Sequence, residues 1–392
     1  MPSPSHRTAL RTHSFTESVI REMTRVAREH DAVNLAQGFP DYPAPDVLKE
    51  AACRAIREDV NQYAITWGAP SLRDALVRKY ASWYGLEVDG TREVTVTCGA
   101  TEAMAAVMLA LVDPGDEVIV LEPFYENYGP DAILSQAKPV FLRLEAPEYR
   151  LDLDALESLV TPRTRAIVLN TPNNPTGRVF DAEELEGVAR ICRTHDILAI
   201  TDEIYEHIHY QGRHIPLATL EGMRERTITI SGASKTFSVT GWRIGTIIAP
   251  APLTDAIRKV HDFLTVGAPA PLQEACAVGM NELGPEYYEG MVAEYRERRD
   301  VMVRALAESG FRAPTPEGAY YILADFSALS GEDDRTFAKR LTREAGVAPV
   351  PGSSFFSDPQ AGRTLVRFVF CKRLDTLREA GERLVAFAGR GA

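Results

Sequence analysis

The sequence predicts an α/β protein in two parts. One is a large domain whose seven-stranded, mostly parallel sheet is flanked by helices; the other is a smaller α+β domain assembled from both termini. Three observations carry this prediction. From about Glu93, short β-rich runs alternate with segments of helical spacing. Beyond Leu283 that alternation gives way to a long charged helix and scattered short strands. The Pro/Gly-rich stretch NLAQGFPDYPAP stands ahead of the first long helix and assigns the N-terminal 40 residues to the smaller part. The expected boundaries are 47–284 for the large domain and 1–46 with 285–392 for the small one.

The runs are, in order, EVTVTCG (93–99), DEVIVLE (116–122), KPVFLRL (138–144), RAIVLN (165–170), LAITDEIY (198–205), TITISG (227–232) and RIGTIIA (243–249). They read as nearly continuous apolar runs, as strands buried on both faces do, and stretches such as TEAMAAVMLALV and DAEELEGVARICRTH supply crossover helices. The last two runs are joined by the polar loop ASKTFSVTGW, too short for a helical crossover. The seventh strand is therefore expected to run antiparallel. Past Leu283, a helix from about Pro285 to Ser309 leads into AYYILADF, VAPVPG and LVRFVF, with further helices near 336–345 and 373–388.

Composition narrows the function. At 392 residues the chain has room for two or three domains of roughly 100–200 residues. Forty-three Lys and Arg against 55 Asp and Glu give a net charge of −12, which disfavours a nucleic-acid partner. Hydrophobic residues at 45% and charged ones at 25% exclude a disordered or fibrous chain. The five cysteines (Cys53, Cys98, Cys192, Cys276, Cys371) are dispersed and odd in number, so they read as small hydrophobes and not as a disulfide framework. The apolar stretch AMAAVMLALV is too short to cross ~30 Å of hydrocarbon. The basic start MPSPSHRTALRTH lacks an apolar core; it reads as a frayed terminus, with a transit peptide as the alternative, and not as a secretory signal. A soluble, cytoplasmic protein is expected.

Four segments carry chemistry. PNNPTG (172–177) fixes a turn after a strand, at the sheet edge where α/β proteins bind ligands, though it is also a common bare turn. In TCGATEAM, Gly99 ends a strand and Ala100 and Thr101 open a helix, so free N–H groups and the helix dipole suit a phosphate. Neither GxGxxG nor GxxxxGK occurs, which removes most support for a nicotinamide or a nucleoside triphosphate. TDEIYEH places Asp202 at a strand end with Tyr205 three residues later; the carboxylate is either a loop cap or a buried anion for a cationic ring nitrogen. In SGASKTFSVTGWRIG, Lys235 is either a solvated charge or an amine poised for a Schiff base, with Arg243 eight residues on as a phosphate counter-charge. The pair His207 and His209 reads as strand decoration, and no metal is expected.

The order of these segments is far more specific than any one of them. It resembles the class I/II aminotransferases of the aspartate-aminotransferase superfamily, the type I fold of pyridoxal-phosphate enzymes, over essentially the whole chain. NLAQGFPD, NQYAITWGAPSLR, EPFYENY, VPGSSFF and LVRFVFCK look most like the kynurenine/methionine/glutamine-type branch, which includes some succinyl-diaminopimelate aminotransferases.

That resemblance implies roles. Lys235 binds pyridoxal 5'-phosphate as a Schiff base and shuttles a proton between the substrate α-carbon and the cofactor. Asp202 keeps the pyridine nitrogen protonated, Tyr205 and Asn174 hydrogen-bond the phenolic oxygen, and Tyr125 stacks on the ring. Gly99, Ala100, Thr101 and Arg243 hold the phosphate, and Tyr63 reaches it from the other subunit of a homodimer. Arg367 clamps the substrate α-carboxylate with help from the Gly38 backbone and Asn174. One departure stands out: relatives often carry Ser or Thr three residues before the lysine, where this chain has Gly232. Either Ser231 or Ser234 is then the replacement, or the contact is lost.

The implied activity is ping-pong transfer of an amino group from an L-amino acid to a 2-oxo acid. Aspartate- or succinyl-diaminopimelate-type specificity, a cysteine-conjugate β-lyase, and a PLP oxidase or cyclase are the alternatives on the same scaffold. A DNA-binding regulator is disfavoured, since fewer than about 40 residues precede NLAQGFPD, too few for a winged helix. Phe15, Tyr63, Trp67 and Tyr125 near the expected mouth favour a neutral or aromatic substrate side chain.

Overall fold

Alternate residues of the central strands are apolar on both sides, and this dictates a sheet covered on each face. The computed structural model describes residues 8–389. Within them lie β1 (Val94–Thr97), β2 (Glu117–Glu122), β3 (Lys138–Arg143), β4 (Thr164–Asn170), β5 (Leu198–Asp202), β6 (Thr227–Gly232) and β7 (Gly245–Ile248). They form one sheet in the order β1-β7-β6-β5-β4-β2-β3. Only β7 runs against its neighbours, pairing antiparallel with both β1 and β6, as the short connecting loop predicts. Val118, Val120 and Val168 pack with Ala103, Met104 and Val107 of the helix Gly99–Leu111. Ile119, Leu121 and Ile167 turn the other way, onto Leu185 and Val188 of the helix Ala182–His195. The period-2 pleat thus feeds two cores from one set of strands.

A smaller antiparallel sheet, in the order β9-β10-β8, is built from β8 (Tyr321–Asp325), β9 (Val350–Pro351) and β10 (Leu365–Val369). Val33–Asn34 pairs parallel with Val347–Ala348, which ties the N-terminal segment to the C-terminal one. The long helix Pro285–Glu308 and the helices Asp334–Glu344 and Leu374–Ala388 occur where the sequence places them. No described helix is long and apolar enough to cross a membrane. The first seven residues of the basic N-terminal stretch lie outside the described residues.

Three local readings change. A helix already spans Val19–Glu29, ahead of NLAQGFPD; the Ser18 side chain accepts from the Arg21 N–H, and Val19, Ile20, Met23 and Ala27 make a narrow buried stripe among charges. The run LAITDEIY stops being a strand at Asp202, whose carboxylate accepts the Ile204 N–H and turns the chain. His207 and His209 are therefore not strand residues, and the His207 ring packs between Trp83 and Tyr288. Finally, the loop ASKTFSVTGW contains two short helical turns, Ala233–Thr236 and Thr240–Trp242.

Candidate active site

The sheet topology gathers the chemistry-bearing segments on one edge. β1, β4, β5 and β6 all end there, and the antiparallel β7 begins there. Gly245 at the start of β7 lies opposite Thr97 on one side and Gly232 on the other. The C-terminal ends of β1 and β6 consequently flank residue 243.

Gly99 adopts φ +81°, a left-handed conformation open to glycine, as it turns from β1 into its helix. A Cβ on Gly99 would stand 2.2 Å from Arg243 Nη2, so the guanidinium lies directly on the turn. A Cβ on Gly245 would meet the Gly99 carbonyl carbon at 2.3 Å and the Ala100 nitrogen at 2.6 Å. No side chain caps the helix at Cys98, which leaves the N–H groups at Ala100 and Thr101 facing the same space as Arg243. This corner can hold a doubly charged anion. Ser231 does not serve it: its hydroxyl donates to Glu206 at 2.5 Å. Successive strand residues point to opposite faces, so Ser231 looks into the protein; Ser234 lies on the following helical turn.

Lys235 sits on that helical turn, with its Nζ 3.4 Å from the Gly38 carbonyl and 5.9 and 5.8 Å from the ring centroids of Tyr205 and Tyr320. Burial lowers its pKa to about 8, and the nearby charges of Arg243 and Arg367 push in the same direction against Asp202. Asp202 responds in the opposite sense. Burial raises its pKa to about 6, although the Tyr128 hydroxyl (2.8 Å), the Ile204 N–H and the Lys235 charge all favour the anion. Such a pair, an amine made easier to deprotonate and a carboxylate short of positive charge, is set up for acid–base work on a ligand between them. Tyr128 is a functional side chain that spacing alone did not single out, although it lies in EPFYENY.

Arg367, on β10, is the largest fully buried side chain, at 1% exposure. Among the described residues its polar partners are neutral: Nη1 donates to Asn174 Oδ1 at 2.7 Å and Nη2 to the Ala36 carbonyl at 2.5 Å. Its Nε has no partner. Asn174 is placed by its own backbone N–H, which donates to Asn170 Oδ1, while Asn170 Nδ2 donates to the Asp202 carbonyl. The Gly38 carbonyl accepts from Tyr320, so of its backbone groups the N–H is the one suited to a carboxylate. Tyr125 belongs to the same centre, since its phenol feels both Asp202 and Arg367, with burial raising its pKa. The structure thus brings together Lys235, Asp202, Tyr205, Asn174, Gly38, Arg367, Tyr125, Arg243 and the 99–101 turn.

Tyr63 is 87% exposed. The Trp67 ring packs under Arg258, 4.9 Å from its guanidinium carbon.

Comparison with known proteins agrees with this geometry. The family Aminotransferase class I and II matches residues 30–384. The chain is 39% identical to the methionine aminotransferase of Escherichia coli over 94% of its length and 95% of that protein. It is 38% identical to human kynurenine–oxoglutarate transaminase 1, covering 93% and 94% of the two chains. The structure of the N-succinyldiaminopimelate aminotransferase from Mycobacterium tuberculosis superimposes with a TM-score of 0.94 at 41% identity, over 97% of this chain and 99% of that one. The chain belongs to the class I and II aminotransferases and is a transaminase.

Proposed function

We propose that this transaminase uses pyridoxal 5'-phosphate, and moves the α-amino group of an amino acid with a neutral or aromatic side chain to a 2-oxo acid. The observation that carries this reading is Arg367, a fully buried guanidinium with an unpartnered Nε beside a buried lysine and a buried aspartate. A guanidinium withdrawn from water without a counter-ion is costly, and a substrate carboxylate supplies the missing charge in bidentate form.

The residues fit the cofactor on independent grounds. The glycine-lined corner at Gly99, Ala100, Thr101 and Arg243 matches a phosphate, and Ser234 is the hydroxyl assigned to it. Asp202, held by Tyr128 and the Ile204 N–H, offers an anion short of positive charge to a pyridinium nitrogen. When bound, pyridoxal phosphate supplies an electron sink for the carbanion left by proton loss at the substrate α-carbon. Lys235 Nζ, its proton affinity lowered, is the base for that proton. Tyr205 and Asn174 are placed to donate to the cofactor's phenolic oxygen. Tyr125 would cover the ring and exclude water.

The preference for a neutral side chain rests on the cations at hand. Those acting on Lys235 are Arg243 and Arg367, both assigned above. The Lys372 ammonium donates to the Phe39 carbonyl at 2.7 Å and lies 3.7 Å from the Phe39 ring centroid. A distal carboxylate finds no further partner among these.

We also propose the division into 47–284 and 1–46 with 285–392, and a cytoplasmic homodimer with shared sites. Tyr63 and Ile65, at 87% and 44% exposure, neighbour Phe263, Leu264 and Val266 (91%, 46% and 47%), because His261 hydrogen-bonds the Thr66 carbonyl and holds loop and helix end together. An apolar patch of this kind is suited to a two-fold contact that carries Tyr63 into the other subunit's site.

One experiment tests the reading in two arms. Borohydride treatment of the yellow protein followed by peptide mapping should place a pyridoxyl group on Lys235. A panel of donors against 2-oxoglutarate and pyruvate should give neutral or aromatic amino acids the highest kcat/KM. A label on another lysine defeats the cofactor assignment, and dicarboxylic or N-acylated diamino donors in first place defeat the substrate assignment.

A further inference from the structure

Tyr205 does not stand alone. Its hydroxyl lies 2.6 Å from that of Tyr321, and both phenols are buried. Tyr321, the first residue of β8, also carries the Arg367 guanidinium over its ring, 4.5 Å from the centroid. Its hydroxyl is packed where a Cβ on Gly38 would be 2.5 Å away. One side chain therefore touches the Tyr205 hydroxyl, the carboxylate-binding arginine and the loop that faces Lys235.

Two hydroxyls at this distance share one hydrogen bond, and each phenol has one proton to give. If Tyr205 donates to Tyr321, its proton is spent. If Tyr321 donates to Tyr205, the Tyr205 proton is free for a ligand. The neighbouring Tyr320 hydroxyl donates to the Gly38 carbonyl at 3.0 Å, so its own proton is given to neither of the two oxygens.

We propose that Tyr321 is a positioning residue that donates to the Tyr205 oxygen and so aims the Tyr205 proton at the cofactor's phenolic oxygen. The proposal rests on the reading of Tyr205 given above. A donated hydrogen bond polarises the O–H of the acceptor, so Tyr205 becomes a stronger donor than an isolated tyrosine. The same contact couples Tyr205 to Arg367, since a shift of the guanidinium on carboxylate binding bears directly on the Tyr321 ring. Other titratable or charged groups facing the pair are Lys235, Asp202, Tyr125, Tyr320, Cys371 and Arg367, and Tyr321→Phe leaves all of them in place.

The test is the pH titration of the visible band of the cofactor-bound protein, which reads proton loss at the ring without turnover. The phenolic oxygen carries more negative charge once that proton is gone, so a strong donor lowers the titration midpoint. Tyr205→Phe should raise the midpoint, and Tyr321→Phe should raise it by a smaller amount, about half a pH unit. In the double variant the Tyr321 change should add nothing, because it acts through Tyr205. A Tyr321→Phe midpoint equal to wild type, with Tyr205→Phe shifted, overturns the proposal, as does a fully additive double variant. No shift in Tyr205→Phe overturns the reading of Tyr205 beneath it.

Discussion

Lys79 and Arg367 are both cations drawn out of water, yet their surroundings differ in kind. Lys79, on the helix Pro70–Tyr84, meets the Glu206 carboxylate at 2.6 Å. Glu206 also accepts from the hydroxyls of Tyr84 and Ser231, both at 2.5 Å. Burial pushes the Glu206 carboxyl up, but the charges of Lys79 and His207 and the hydrogen bonds from Lys79 and Ser231 together outweigh it and hold the group well below the usual range. Arg367 meets two neutral acceptors and keeps Nε unpaired. Carbonyls alone can hold a buried guanidinium, as Arg73 shows with Gly68 and Gly90. The unpaired Nε, beside Lys235 and Asp202, is what separates Arg367. The difference teaches that one charge is completed inside the chain and the other is completed by a ligand.

Removing one partner of the completed pair should hurt folding and spare catalysis. Lys79→Met keeps the volume and leaves Glu206 buried with two hydroxyls. Breaking a buried ion pair this way costs about 3 kcal/mol or more. A clearly lowered urea midpoint is expected, with kcat/KM of the folded enzyme within about threefold of wild type. An unchanged midpoint would mean that the pair does not contribute to stability.

Removing Arg367 should do the reverse. Arg367→Met preserves packing against Tyr321 and Phe355, but a substrate carboxylate loses its charge-assisted fork. That loss is worth about 3 kcal/mol, so kcat/KM should fall by about two orders of magnitude. The unfolding midpoint should drop less than in Lys79→Met, because only the neutral Asn174 and Ala36 oxygens lose a donor and no internal charge is left unpaired. Arg367→Lys should rescue poorly, since an ammonium lacks the planar fork. Near-wild-type steady-state kinetics of the Met variant would erase the contrast with Lys79.

The contrast also marks what the sequence made legible. The seven strands could be read because each is an apolar run, and β7's direction followed from the length of one loop. Lys235 and Asp202 stood out through the order of motifs, and Arg367 only through the family resemblance that this order carries. Tyr321 and Tyr128 stayed hidden because their partners are 116 and 74 residues away, and a distance along the chain says nothing about which strand ends share an edge. Ser231 was misjudged by one residue, and on a pleated strand one residue is the other face. The helix Val19–Glu29 was missed because its buried stripe is narrow and its flanks are charged.

His261 sharpens the comparison from a third side, as a buried charge that exists only at some pH values. The ring is fully buried; Nε2 lies 2.9 Å from the Thr66 carbonyl and Nδ1 3.0 Å from a Glu102 carboxylate oxygen. A carbonyl only accepts, and so does an ionised carboxylate, so both nitrogens carry protons when both bonds are made. Burial pulls the pKa down, yet the hydrogen bond to Glu102 and its charge, with the Thr66 carbonyl, leave it above the ordinary histidine value. A raised folded-state pKa stabilises the protein fully below the unfolded value of about 6.5, and that contribution is lost as pH rises through the folded one. His261→Phe keeps the ring and removes the charge. The unfolding midpoint of wild type minus variant should therefore be larger at pH 6 than at pH 9, by an amount on the order of 1 kcal/mol. Because Thr66 lies in the loop that carries Tyr63, the variant should also weaken the self-association proposed above, seen as a shift in sedimentation at low pH. A stability difference that is flat between pH 6 and pH 9 would show that His261 is neutral throughout, and that the third buried charge does not exist.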